Sequence, residues 1–537
     1  MRCNRCDVRL AICVTWLLAS GLVHAAAPVD PAGAAAPERL SLPRCFSDHM
    51  VLQRDRALAV WGWARPHEKV TVSLGTITAT ASADAAGNWS VKLPPQPASA
   101  TPVVLVVADG ATRLEVKDVL LGDVWLCSGQ SNMSISAGHF TTPEARQDMA
   151  RADYPAIRQF GVVEHFASTP QTDVTGEWLV CSPKTASRIS AVAFYFAIRI
   201  HTETGVPVGI VRSAKGSTGI EMWLSQETLL KSPHSGAFAE TMRKSLAAWE
   251  EDKAAAIKAG KTPDSADFPP YPFGEKVRRP RCVTLFNGMI SPLAPMSIRG
   301  VVWYQGEGNA GDIASASQYR FRLALLIQSW RDLFGVESLP FYIVQLPGYR
   351  QSADSPGGGD PWSVLRESQQ KCLSIPHTAL AVTLDIGEAD DIHPRNKLDV
   401  GNRLALLALK REYGKTTLID TGPVYRELRI EGASARLSFD SVGSGLMIGV
   451  KKGREPAAED KANPLGRFAI AGTDRKWFPA DAVIDGNTVV VRSPGVPQPV
   501  AVRYAFSTNP VGANLYNRDG LPAGPFRTDD WPLEATK

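Results

Sequence analysis

Between residues 120 and 415, short apolar runs alternate with longer stretches whose apolar positions recur every three or four residues. That pattern predicts parallel strands covered by helices on both faces. Residues 124–127, 207–211, 299–304, 341–345 and 379–384 are five strand candidates. One helix between them sets Tyr319, Leu323, Leu326 and Trp330 on a single face and stops at Gly335, a residue suited to a left-handed C-cap. Another runs through Val192, Phe196 and Ile200 to Gly205. Residues 233–281 break the rhythm with a charged helix around 246–258 and a proline-rich exit, which reads as an insertion or lid.

The flanks carry a different period. Residues 40–119 hold short β-type runs at 57–63, 70–74 and 103–107 divided by turn residues, and residues 421–537 return to the same pattern, so a small all-β unit is expected on each side. Trp61 and Trp63 alternate about Gly62. A sugar-stacking pair fits them, but strand alternation favours core packing. Neither β unit indicates an activity.

Residues 1–27 read as a signal peptide: Arg2, Arg5 and Arg9, an apolar run over 10–23, then Ala25, Ala26 and Ala27. A run of about 14 residues is shorter than the roughly 20 that a membrane span needs. The expectation is therefore a secreted or periplasmic protein with no membrane association once the signal is removed. Cys3, Cys6 and Cys13 leave with it. Cys45, Cys127, Cys181, Cys282 and Cys372 remain, and their odd number leaves at least one thiol without a partner in the chain. Buried, unpaired cysteine is the favoured reading for most of them.

Formal charge is +4 over 537 residues, and the signal accounts for part of it, so a nucleic-acid partner is not indicated. With 44% hydrophobic and 21% charged residues the chain has ample material for a large core.

Four predicted strand ends carry candidate chemistry. Gly129-Gln-Ser-Asn-Met133 follows the first strand, where an α/β sheet presents ligands and nucleophiles. Ser131 in that turn reads either as a nucleophile or as a helix N-cap. Met133 excludes the Gly-x-Ser-x-Gly elbow. After the last strand, Asp390 and His393 offer an orienting carboxylate and a general base three residues apart. Capping by Asp391 and a metal site built from Asp385, Asp390, Asp391 and His393 are the competing readings, although no second histidine stands at ligand spacing. In Tyr304-Gln-Gly-Glu-Gly-Asn309 the Asn309 amide is a candidate oxyanion donor, alongside the backbone N–H groups of Ser131 and Gly216.

Together these blocks resemble, in order, those of the SGNH hydrolases, and their wording resembles the sialate O-acetylesterase family and its bacterial carbohydrate acetylesterase relatives. Phe46-Ser-Asp-His-Met-Val-Leu-Gln-Arg54, Leu121-Gly-Asp-Val-Trp-Leu126, Phe286-Asn-Gly-Met-Ile290 and Asn514-Leu-Tyr-Asn-Arg-Asp-Gly520 extend the likeness over nearly the whole chain after residue 27. The resemblance implies an α/β class: a three-layer α/β/α domain with a parallel sheet, flanked by small all-β units. It also implies no cofactor and no metal, and a Ser-His-Asp mechanism that removes acetyl groups from carbohydrates. Carried over by position, Ser131 is the nucleophile, His393 the base and Asp390 its orienter, with Ser131, Gly216 and Asn309 forming the oxyanion hole. Gln130, Glu307 and Arg366 are the expected substrate contacts. Ser217 and Gly308 depart from the family's usual Gly and Ser. A sialate carboxylate wants an arginine such as Arg350 or Arg366. A neutral plant polysaccharide such as xylan or xyloglucan wants stacking aromatics such as Trp362. A non-catalytic glycan-binding protein is the reading of another class.

Overall fold

Trp125 and Trp303 stand on opposite faces of one sheet, because Trp303 pairs with Ser128 on the neighbouring strand and side chains alternate along it. The computed structural model describes residues 39–262, 268–273, 282–352 and 355–533, so the expected signal segment 1–27 and the end of the expected insertion, 274–281, lie outside the described residues. The central strands run in the order Thr378–Ala381, Phe341–Val344, Gly300–Tyr304, Arg113–Gly129, Val208–Ala214, Tyr154–Val162 and Gly176–Cys181. All pair in parallel except Gly176–Cys181, which runs antiparallel along one edge. On one face Trp125 packs edge-on against Phe196 of the Ala191–Thr204 helix, which lies against the Lys397–Glu412 helix. On the other, Trp303 meets Trp330 of the Ile313–Phe334 helix, which lies against Pro361–Lys371. The result is the expected α/β/α layering.

The five expected strands all form. Tyr154–Val162 was not legible because Arg158 and Gln159 interrupt its apolar run, yet both are buried. Arg158 is neutralised by Asp118 at 2.9 Å, and Gln159 Oε1 accepts the Ser190 N–H at 2.9 Å. Partners within reach make such burial tolerable.

One expectation is corrected. The boundary drawn between 119 and 120 falls inside Arg113–Gly129, a continuous strand of 17 residues. Its first half pairs with Ser99–Ala108 and Val51–Gln53, its second with the parallel strands, so the N-terminal β unit extends the central sheet. The buried run Val119, Leu120, Leu121, Val124, Trp125, Leu126 gives the chain no reason to turn. Of the tryptophan pair, Trp61 is buried against Phe46, its ring 4.6 Å away, as core packing predicts, while Trp63 is only half-buried.

The C-terminal unit forms antiparallel sheets, one of them built from Val424–Glu431, Ser434–Asp440, Thr488–Arg492 and Asp481–Asp485. It meets the parallel sheet's rim at Asp385, a carboxylate that the α/β domain's own Arg403 already holds. Arg403 pairs bidentately with Asp385 at 2.6 and 2.7 Å, and Tyr516 donates to the same carboxylate. Within the expected insertion the helix is Gly236–Lys258, starting ten residues before the charged stretch; Trp249 Nε1 donates to the Pro269 carbonyl and its ring meets Tyr271. The five described cysteines are buried free thiols. Among the described residues no helix is long and apolar enough to cross a membrane.

Candidate active site

The first strand ends at Gly129 with φ +132°, where a Cβ would stand 2.1 Å from the Tyr304 carbonyl oxygen. Glycine is therefore required for the strand to break beside its neighbour. The turn that follows delivers Ser131 as the first residue of the short helix Ser131–Ser134, which Ser190 buttresses by donating to the Met133 carbonyl at 2.7 Å. As the first helical residue, Ser131 has a backbone N–H that no helical carbonyl reaches.

Across the rim, Ser131 Oγ lies 2.9 Å from His393 Nε2, although 262 positions separate them. The helix Lys397–Glu412 brings the histidine there. Gly401 of that helix sits so close to Tyr195 and Phe196 that a Cβ would fall within 2.6 Å of Tyr195 Cβ, which presses the helix onto Ala191–Thr204 beside the nucleophile's turn. The helix's N-cap is Asn396, which accepts the Asp399 N–H at 3.1 Å.

Asp390 is not the carboxylate beside the imidazole. It is exposed and faces Gln351, whose Nε2 is 3.4 Å from its Oδ1. Asp391 takes the place: its Oδ1 accepts the His393 N–H at 2.8 Å and lies 3.7 Å from His393 Nδ1. The local reason is a side chain folding back onto the backbone two residues ahead, which aspartate does readily. At 3.7 Å the contact is too long for a hydrogen bond and becomes an ion pair only when the imidazole is protonated. Burial lowers the His393 pKa below 6.5, Lys397 and His139 push it further down, and Asp391 opposes them.

The second loop touches the nucleophile: a Cβ on Gly216 would be 3.4 Å from Ser131 Cβ. The third loop is held by Asn309, whose Oδ1 accepts from Ile220 N and Gln305 Nε2, both at 2.9 Å. These two donors fix which way the amide faces. Its nitrogen then stands 3.1 and 3.2 Å from the two Glu221 oxygens, and Glu221 pairs in turn with Arg322. The Asn309 amide nitrogen is thus held by both oxygens of Glu221.

The three expected substrate contacts are placed otherwise. Gln130 is buried and its Oε1 accepts from the N–H groups of Gly306 and Gly308, joining the first and third loops. Glu307 turns inward and accepts from Asn132 at 2.6 Å. Arg366 is fully buried and donates to the carbonyls of Leu346, Pro347, Ser507 and Thr508, between 2.5 and 2.8 Å. Burial pulls its pKa down to about 9 against the opposing charge of Asp360. Each of these side chains satisfies backbone or side-chain groups that would otherwise be buried unpaired. Of the carboxylates considered for a metal, Asp385 is committed to Arg403 and Tyr516. Asn132, Lys397 and Glu221, which carry no role in the sequence, complete the site together with Asp391, expected there only as a helix cap or metal ligand. Asn132 lies within the Gly129–Met133 block; nothing local to Lys397 sets it apart from the solvated lysines of other helices.

A parallel sheet with a serine and an imidazole at its carboxyl rim defines a hydrolase of the esterase class, and the comparisons narrow it. Residues 278–410 match the family model described as carbohydrate esterase, sialic acid-specific acetylesterase. The chain is 30% identical to the sialate O-acetylesterase of Mus musculus, over 90% of this chain and 93% of that protein. The human protein of the same name is 29% identical over 90% and 91%. A crystal structure of a carbohydrate acetylesterase from Xanthomonas citri is 39% identical, covers 91% of this chain and all (100%) of its own, and superposes with a TM-score of 0.77. The chain belongs to the sialate O-acetylesterase family, and it is a carbohydrate O-acetylesterase.

Proposed function

We infer that the protein is an exported serine esterase that removes O-acetyl groups from sialic acids, with Ser131 as nucleophile and His393 as general base. The observation that carries this reading is the 2.9 Å contact between Ser131 Oγ and His393 Nε2. His393, held neutral by burial, takes the serine proton as Oγ attacks the acetyl carbonyl. The oxyanion forms beside the Ser131 and Gly216 N–H groups, with the Asn309 amide as the third donor of the set. On collapse the imidazolium returns the proton to the departing sugar oxygen, leaving an acetyl-enzyme. Water, deprotonated by the same imidazole, then releases acetate.

Asp391 replaces Asp390 as the orienting carboxylate. Its contact is long and half exposed, so Asp391→Asn is expected to lower kcat about 10- to 100-fold, well short of the loss a tightly bonded triad aspartate gives. Asp390→Asn is expected to leave kcat within about threefold, and steady-state kinetics of the pair decide between them. Because burial depresses the His393 pKa, the acid limb of kcat/KM, where the imidazole protonates, is expected to be centred below 6.5; a limb centred above 6.5 would contradict the geometry.

The sialate substrate is supported by the family model and the mammalian relatives, and by two side chains. Arg350 is exposed on a loop whose N–H bonds the Ala389 carbonyl, beside the histidine loop, where a guanidinium suits a sugar carboxylate. Trp362 is buried with its indole N–H on the Pro347 carbonyl, which removes it as a stacking platform for neutral polysaccharide. Acetate release compared side by side on O-acetylated sialic acid and acetylated xylan tests this: faster release from sialate supports the reading, faster release from xylan replaces it with the polysaccharide reading, and glycan binding without release from either replaces it with a binding protein. Export is tested by N-terminal sequencing, which should begin after Ala27.

A further inference from the structure

Behind Ser131 and His393 lies a buried polar cluster that the inferred chemistry does not use. Lys397, at the start of the Lys397–Glu412 helix, is 1% exposed. Its ammonium donates to Asn132 Oδ1 at 2.5 Å and lies 5.6 Å from the ring centres of both Phe140 and Tyr304. Asn132 directly follows the nucleophile. Its amide nitrogen donates to Glu307 Oε1 at 2.6 Å and to the Ile392 carbonyl, one residue before His393, at 3.0 Å. The other Glu307 oxygen is buried without a hydrogen-bond partner among the described residues.

Opposite charges therefore read the two ends of one amide, and that amide holds the histidine's backbone. A cation on Oδ1 and a carboxylate on Nδ2 permit only one orientation of Asn132. Apolar side chains of similar volume would fill this space at lower desolvation cost, so packing alone does not account for a buried ammonium and carboxylate. We propose that Asn132, Lys397 and Glu307 are positioning residues: Asn132 ties the Ile392–His393 backbone to the nucleophile's turn, and the two charges lock its amide while Lys397 sets a cation beside the imidazole.

The charges around His393 fit this. Lys397 faces it from the helix, His139 from the Ala137–His139 turn and Asp391 from its own loop, while Glu307, Asp391 and Glu388 face Lys397. Burial pulls Lys397 down to about 7 and raises the Glu307 carboxyl. Below that pH the ammonium is charged, which is the range where His393 would gain its proton.

This proposal rests on the Ser131–His393 reading, so Ser131→Ala accompanies its test: kcat and KM for 4-nitrophenyl acetate across pH, with thermal unfolding, for Asn132→Ala, Lys397→Met and the double variant Lys397→Met/Glu307→Gln. The double variant strands no buried charge and guards against misfolding of the single one. Asn132→Ala and the folded Lys397 variants are expected to lose about 10- to 100-fold in kcat with little change in KM, as small misplacements of a base do. In the Lys397 variants the acid limb is also expected to move to higher pH, because the imidazole loses its cationic neighbour. Folded variants with kcat within about twofold of wild type, or Lys397 variants with an unmoved acid limb, would overturn the proposal. So would unfolding of the double variant, which would make the cluster a folding element. Activity retained by Ser131→Ala would sink the underlying reading instead.

Discussion

Replacing Ser131 or His393 by alanine is expected to lower kcat for acetyl-ester hydrolysis by at least about 10⁴-fold while KM changes little. The two groups touch at 2.9 Å and act on one proton, so neither works alone. The double variant is accordingly expected to be no worse than the weaker single one, since the groups act as a unit. Residual activity should come from the oxyanion donors, which neither substitution removes. Steady-state kinetics of the three variants check this, and independent multiplicative losses would show that the pair does not function together.

Arg366→Ala is expected to destabilise the protein by at least about 3 kcal/mol, because four interior carbonyls lose its N–H groups; Pro347 keeps the Trp362 indole and Thr508 the Tyr349 N–H, but the Leu346 and Ser507 carbonyls lose their donor. Two of those carbonyls, Ser507 and Thr508, belong to the C-terminal β unit and two to the loop after the Phe341–Val344 strand. The guanidinium is thus a clamp between units. Arg366→Lys should rescue poorly, since a point charge cannot reproduce the planar fork. Denaturant unfolding reads the effect, and KM of the folded enzyme should stay unchanged. A raised KM with stability intact would return Arg366 to the substrate site.

The parallel strands were legible because burial on both faces leaves continuous apolar runs, and the Trp61 reading held because alternation is a property of the strand itself. Tyr154–Val162 was hidden by Arg158 and Gln159, whose partners, Asp118 and Ser190, are distant in sequence. The contact of Ser131 with His393 was foreshadowed by two strand-end loops. Direction within a loop was not: the choice between Asp390 and Asp391 depends on which side chain folds back on the His393 N–H, and spacing carries no such information. Arg366 and Glu307 failed as substrate contacts for a related reason. A charged residue near a strand end looks the same in sequence whether it faces solvent or backbone carbonyls. Lys397 was invisible because the residues around its buried ammonium, Asn132, Phe140 and Tyr304, are distant in sequence.

Covalent catalysis at Ser131 is the claim from which the rest follows. Mixing the enzyme with excess 4-nitrophenyl acetate, quenching with acid during turnover and mapping the peptides by mass spectrometry tests it most directly. A burst of 4-nitrophenolate stoichiometric with enzyme, and a single acetyl group on the Ser131 peptide that disappears as substrate is exhausted, is the predicted result. Steady acetate release with no burst and no acetylated peptide at any quench time would contradict it.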